Sequence, residues 1–296
     1  MTVCRVVRGH RGVATSTASR VQAAIQKLGY RPDPALSALA AYRQPGSGKG
    51  SVIAFLQCED TTYNEIICEG ARREAKLLGY SLQTFPLEAD SKKNLRLART
   101  LFHRGIKGLL LGPSSEMYDL RQWDWTFFTA VSLSAMSHEP AMNAVTMDYF
   151  DAAARSVEYL SEQGSHRQAL VVAPHLEART RHQWKGGFAA LSGVSAFIYE
   201  SENLNQPLRS WLKKHQIDGI ATIHKIVSEQ ATRLNLPCIF LNEYEAPEGV
   251  ARFSLSPDLI GAEGLRMLHH QLLRGSHLQA PGGTTTILKG RLSTSL

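Results

Sequence analysis

The sequence predicts a two-lobed α/β body with parallel sheets, preceded by a small all-α head. Three observations predict it. Residues 1–50 carry six Arg and two Lys against Asp33 alone, a net +7. The remaining 246 residues hold 25 bases and 25 acids and are neutral, so the whole charge of the chain sits in its first sixth. Second, the stretch RQPGSGKGS reads as a flexible boundary of Gly, Ser and Lys, and places a linker at 46–50. Third, from Ser51 the pattern becomes strand and helix in alternation, run through twice, which builds parallel sheets covered by helices and hence two lobes.

In the head, Val3, Val6 and Val7 fall at helical spacing and Gly9 supplies a stop. Thr15, Ser16 and Thr17 suit a helix start. Val21, Ala24, Ile25 and Leu28 then recur at i, i+3, i+4 and i+7, with Gly29 as a terminator. Pro32 and Pro34 prevent continuation, and Pro34 suits the first turn of a short helix, about 34–42. The head therefore spans 1–45 and the body 51–296.

The first half of the body reads SVIAFLQ (strand), IICEGARREAKLLGY (helix), YSLQTFP (strand), NLRLARTLFHRG (helix) and KGLLLG (strand). TAVSLS and AVTMDY are further strands, and the helix DAAARSVEYLSEQG closes that half. The second half reads HRQALVVAP (strand), TRHQWKGGFAALSG (helix), SAFIYE (strand), a helix near 206–215, DGIATI (strand), a helix near 225–233 and PCIFLN (strand). It ends with ARFSLS, the helix LIGAEGLRMLHHQLLRG and one final strand, GTTTILKGRLST.

The same residues exclude several chemistries. GSGKGS fails as a phosphate-binding loop, because Arg43 stands where Gly is required and Gly50 where Ser or Thr must follow Lys49. The eleven histidines form no HExxH or HxxxH pair, and adjacent His269 and His270 cannot share a helix face. There is no GxSxG elbow and no strand-linked GxGxxG. Cys58 ends the first strand without a base partner. No enzyme activity, metal or cofactor is therefore expected. Four cysteines without CxxC spacing read as reduced thiols of a cytoplasmic protein. No stretch reaches the roughly 18 apolar residues of a membrane span, and no secretory signal opens the chain.

TVCRVVRGH, followed by GVATSTASRVQAAIQKLGYRPDPALSALA, closely resembles the DNA-binding head of lactose/galactose repressor-type (LacI/GalR) regulators. VTMDYFDAAARSVEYLSEQGSHRQALV is similar to the family's crossover segment, and GRLST to its R-x-S-T ending. The resemblance implies a helix-turn-helix head on a periplasmic-binding-protein-like (type I) body. TVCRVVRG then corresponds to the recognition helix, which lies in the major groove. Thr2, Arg5, Arg8 and His10 are its DNA-contacting residues. DPALSALAA corresponds to the hinge helix, where Ala38 and Leu39 meet the minor groove and Leu39 is the wedge.

The resemblance also implies three departures. The family's first helix and turn have no counterpart before Met1, so the head is expected to be partial, poorly ordered and a weak or non-specific DNA binder. Ala14 stands where Ser usually caps the third helix, leaving the cap to Thr15. The ligand site also departs. Ligands of open α/β lobes bind at the carboxyl ends of strands, which here offer Tyr63, Ser114, Asp148, Trp184, His224 and Asn242. Trp184 aligns with an Arg of family sugar binders and Asn242 with an Asp. Trp184 therefore either stacks on a sugar face or fills the cleft. The ligand is an unusual sugar or derivative, or the cleft has lost its effector.

The resemblance implies a homodimeric DNA-binding transcriptional regulator of the repressor kind, whose effector sits between the lobes. The alternative is a solute- or sugar-binding protein with the same body and no DNA-binding activity.

Overall fold

The structure, a computed structural model, describes residue 6 and residues 14–28, 51–136, 138–192, 197–201, 208–242, 246–275 and 283–294. The chain divides into two units, Met1–Gly48 and Lys49–Leu296. In the first, helix α1 spans Thr15–Leu28, with Val21 and Ile25 half-buried. Thr15 is already the first helical residue, and the Ala14 carbonyl accepts from the Ala18 N–H. The cap position therefore falls on Ala14, which has no side-chain acceptor, and not on Thr15.

The second unit begins with β1 (Ser51–Gln57), α2 (Thr62–Leu77), β2 (Tyr80–Pro86), α3 (Ser91–His103) and β3 (Gly108–Leu111). β4 (Thr129–Ser132), β5 (Asn143–Met147) and α4 (Tyr149–Glu162) follow. Next come β6 (Gln168–Val172), α5 (Pro174–Arg179), α6 (Gln183–Ser192), β7 (Phe197–Glu200), α7 (Leu208–Lys214), β8 (Gly219–Thr222), α8 (Lys225–Arg233) and β9 (Cys238–Phe240). β10 (Ala251–Ser254), α9 (Pro257–Arg274), β11 (Thr285–Leu288) and β12 (Arg291–Ser293) complete it.

The strands form two six-stranded sheets, β11-β5-β4-β3-β1-β2 and β12-β10-β9-β8-β6-β7. All pairings are parallel except β10 with β12. The central strands are buried throughout, as in sheets covered on both faces: every residue of β3, β4, β6 and β8 is buried. The chain crosses between lobes after β5, after β10 and between β11 and β12. The final strand read from sequence is therefore two, split at Lys289–Gly290, with β11 in the first lobe and β12 in the second. The helix read over 180–193 starts later, as α6 at Gln183, and a separate short helix precedes it. Pro174, a favoured first-turn residue, opens a short α5 that the residue pattern had assigned to strand and loop.

α3 carries its charge against its own dipole. Asp90 caps it, accepting from the Lys92 N–H at 2.8 Å. Its first turn has no acid but holds Lys92 and Lys93. Lys92, Arg96, Arg99 and His103 run i, i+4, i+7, i+11 along the exposed face, opposite buried Asn94, Ala98 and Leu101. Lys92→Glu is expected to raise the unfolding free energy by about 0.5–1 kcal/mol, from the dipole and the new pair with Arg96. A urea midpoint unchanged or lower in the variant would refute this.

Candidate ligand-binding cleft

Each sheet has one topological switch point, where strand order reverses and loops part to leave a crevice. In the first lobe it lies between β1 and β3, and in the second between β6 and β8. Side-chain bonds bridge both. Glu59, two residues past β1, accepts the Ser115 N–H on Oε1 at 2.5 Å. His224, past β8, accepts the Ala173 N–H on Nε2 at 3.0 Å.

α2 begins beside Glu59 because Thr61 caps it, accepting from the Asn64 N–H at 3.2 Å. Buried Asn64 donates to the carbonyls of Glu59 and Pro113, tying the loops after β1 and β3 together. Capping at Thr61 sets Tyr63 in the first turn, from which its hydroxyl reaches that of Tyr149 at 2.6 Å. Tyr149 is the first residue of α4, capped by Asp148 through the Asp151 N–H at 2.9 Å. Trp184 of α6 meets the Tyr149 ring edge-on at 4.9 Å.

Arg179, the last residue of α5, completes the set. Its guanidinium lies 5.0 Å from the centre of the Tyr63 ring and 3.6 Å from Glu59 Oε2. Glu59 thus faces both its own lobe and the other. Burial pushes the Tyr149 phenol up, opposed by the Tyr63 hydroxyl and the Arg179 charge. It therefore stays a neutral hydrogen-bonding group. Glu177, on the same short helix, is wholly buried, and neither carboxylate oxygen has a hydrogen-bond partner. Burial, above all, raises its carboxyl to about 7; Lys185 opposes and Glu200 reinforces the shift.

The structure brings Tyr63 and Trp184 together through Tyr149. Trp184 is 3% exposed and belongs to the hydrophobic core, with Tyr63 and Tyr149. Ser114 is buried beside Glu59, with its hydroxyl turned back on Glu116 at 2.9 Å. Asp148 pairs with Lys289 at 2.5 Å as well as capping α4, and both interactions hold its carboxyl below the ordinary range. His224 and Asn242 follow β8 and β9, and both are half-buried. Thr2, Arg5, Arg8, His10, Ala38, Leu39 and the expected hinge helix lie outside the described residues.

Sequence reasoning passed over Glu59, Arg179 and Glu177. Glu59 lies four residues before Tyr63, the residue singled out after the first strand. The other two stand on α5, whose six residues are too few for a periodic signal. Cys58, next to Glu59, is pushed up to about 12 by burial and then by the Glu59 charge, so it stays a thiol and a poor nucleophile. Among the described residues no group of three or more His, Cys, Asp or Glu could hold a metal ion, and no helix is long and apolar enough to cross a membrane.

Comparison with known proteins places this geometry. Residues 1–33 match the family described as bacterial regulatory proteins, lacI family. Residues 49–208, more than half the chain, match periplasmic binding proteins and sugar binding domain of LacI family. Catabolite control protein A of Priestia megaterium is 26% identical over 188 residues, 62% of this chain and 54% of that protein. The HTH-type transcriptional regulator PtxS of Pseudomonas plecoglossicida is 26% identical over 223 residues, 71% and 62%. The alignments thus span under two thirds of either relative's length. Among solved structures, the lac repressor dimer bound to operator and the anti-inducer ONPF superposes with a TM-score of 0.62 at 16% identity, covering 98% of this chain and 92% of that one. That likeness shows the fold, and the family matches show the lineage: the chain belongs to the LacI family, with a body of that family's periplasmic-binding-protein-like kind.

Proposed function

We propose that the protein is a cytoplasmic, homodimeric, sequence-specific DNA-binding transcriptional regulator of the repressor kind, controlled by a small molecule held between its two lobes. The observation that carries this reading is the joining of two modules in one chain. A head that matches a regulatory family and holds the entire net charge precedes a neutral two-lobed body. A basic segment on a neutral body is the electrostatic footprint of a nucleic-acid binder. A solute-binding protein of the same body needs no such head.

In this reading 1–45 is the head, with the hinge helix at about 34–42, 46–50 the linker and 51–296 the effector and dimerisation body. Thr2, Arg5, Arg8 and His10 meet the major groove and phosphates, and Ala38 and Leu39 the minor groove. Tyr63, Ser114, Asp148, Trp184, His224 and Asn242 line the effector cleft. An effector acts by favouring one lobe angle, which changes the spacing of the two hinges and so the operator affinity. The assembly as a dimer follows from two heads reading two half-sites.

The test is binding to duplex DNA, measured by fluorescence anisotropy across salt concentrations. Each neutralised phosphate contributes about −0.9 to the log–log slope, so two heads with two Arg each predict roughly −3.6 or steeper. Leu39→Ala is expected to weaken binding to a sequence selected from a random pool far more than to random duplex. No duplex binding at low salt rejects the regulator; equal losses on both DNAs reject the wedge.

A further inference from the structure

Arg179 is the most unusual group in the cleft. Its side chain is 16% exposed, and a cation so far removed from water is ordinarily paired and hydrogen-bonded. Here it is neither fully. Glu59 Oε2, its counter-charge, stands at 3.6 Å, outside hydrogen-bond reach, and the guanidinium makes no hydrogen bond among the described residues. A guanidinium has five donors in a planar fork, so the site holds a strong, directional set of donors without acceptors. Glu59 holds the Ser115 N–H with its other oxygen, so it offers the guanidinium a single oxygen and not a bidentate pair. The ion pair is thus stretched between the lobes, with Oε1 held by Ser115 and Oε2 3.6 Å from the guanidinium. The remaining polar groups of the wall, the Tyr63 and Tyr149 hydroxyls, share one hydrogen bond with each other, and Arg179 lies over the Tyr63 ring.

We propose that the ligand of this cleft carries an anionic group, a carboxylate or a phosphate, that docks on Arg179 in place of Glu59. This rests on the reading of the cleft as the effector site. Two acceptor oxygens on one anionic centre fit the guanidinium fork bidentately, and charge assistance makes those bonds stronger than hydroxyl contacts from a neutral sugar. Glu59, about a quarter exposed, turns back to water and to Ser115 at little cost. Trp184 is core and offers no charge, so the cationic contact comes from Arg179 on α5. The exchange also carries the signal. Glu59–Arg179 joins one lobe to the other, and an anion on Arg179 replaces that contact with its own. The ligand then interacts differently with open and closed lobes, as a population shift requires.

The experiment is isothermal titration of the full chain with two matched pairs of probes. Gluconate with sorbitol tests the carboxylate, and glucose 6-phosphate with glucose tests the phosphate. At least one anion is expected to bind while its neutral partner does not. Arg179→Gln should weaken that anion about tenfold or more, with part of the loss recovered in Arg179→Lys. Glu59→Gln, which removes the competitor, should tighten it several-fold, an opposite sign that a merely structural residue would not give. If Arg179→Gln does not fold, the Lys and Glu59 variants still decide. Binding of a neutral probe as tight as its anion overturns the proposal but leaves the effector reading standing. Anion binding that survives Arg179→Gln overturns it, as does the absence of any anion binding to both the native chain and Glu59→Gln. The regulator reading is tested separately, by the DNA titration.

Discussion

Gly261→Ala is expected to lower the unfolding free energy by about 3 kcal/mol, at the upper end of what one extra methyl group costs in a packed interior. α2 and α9 cross with their backbones in contact. A Cβ on Gly261 would stand 1.9 Å from the Ile67 carbonyl oxygen and 2.7 Å from the Ala71 nitrogen. A Cβ on Gly70, from the other side, would stand 2.0 Å from the Asp258 carbonyl oxygen. These are backbone atoms of the helices themselves or of their first turn, so no rotamer change relieves the clash. α9 must lift instead, and α9 also covers β3, β4 and β5, so the displacement loosens the core of the first lobe. The gain in helix propensity on replacing Gly, up to about 1 kcal/mol, is the opposing effect and is the smaller one. An internal control lies in α6. A Cβ on Gly187 would meet the Phe150 carbonyl oxygen at 2.1 Å, whereas one on adjacent Gly186 meets only the Phe150 ring at 3.6 Å. Urea denaturation should therefore show Gly187→Ala destabilised and Gly186→Ala neutral or stabilised. A Gly261→Ala variant within 1 kcal/mol of the native protein would mean that the two helices are not locked at backbone distance.

The fold was legible because its central strands are short apolar runs bounded by turn residues, and its longer helices show a 3.6-residue period. Two parts were not. The terminal segment read as one strand because Lys289 and Gly290 are only two residues, too few to reveal that the chain changes lobes between them. α5 was hidden because an element of six residues shows no period, and its opening Pro174 reads equally well as the end of a strand. That second miss also hid part of the site. With α5 unseen, Arg179 was one arginine among several in an irregular stretch, and attention passed to Trp184, where the family resemblance places a ligand-binding Arg. Tyr63 and Trp184 could be singled out as candidates because strand ends in open α/β lobes are predictable places for a ligand. Their meeting through Tyr149 depends on how two capped helices, one from each lobe, are aimed, and no local pattern records that.

Glu177→Gln is expected to stabilise the protein at pH 8 by about 2 kcal/mol and to do nothing of the kind at pH 4.5. The native carboxyl is wholly buried without a hydrogen-bond partner, and burial raises it to about 7 from an ordinary value near 4.5. Below pH 4.5 both folded and unfolded chains hold the proton, and the residue carries no penalty. Between 4.5 and 7 the unfolded chain ionises first, so stability falls as the pH rises, and above 7 the loss is complete at about 3 kcal/mol. The groups facing the carboxylate do not cancel this. Lys185 is already paired with Glu200 at 3.0 Å, and His182, 3.5 Å from Oε2, is 64% exposed and well screened. Glutamine keeps the shape and removes the charge, but leaves an amide short of partners, which returns about 1 kcal/mol. The variant's advantage should therefore grow with pH between 4.5 and 7 and then level off. A parallel pair of stability–pH curves would show that Glu177 is not desolvated as its burial indicates. The location of the cost is informative in itself. Glu177 and Arg179 share one short helix at the cleft, so a stability loss is concentrated on the element that holds the proposed ligand contact, as is common where function sets the side chains.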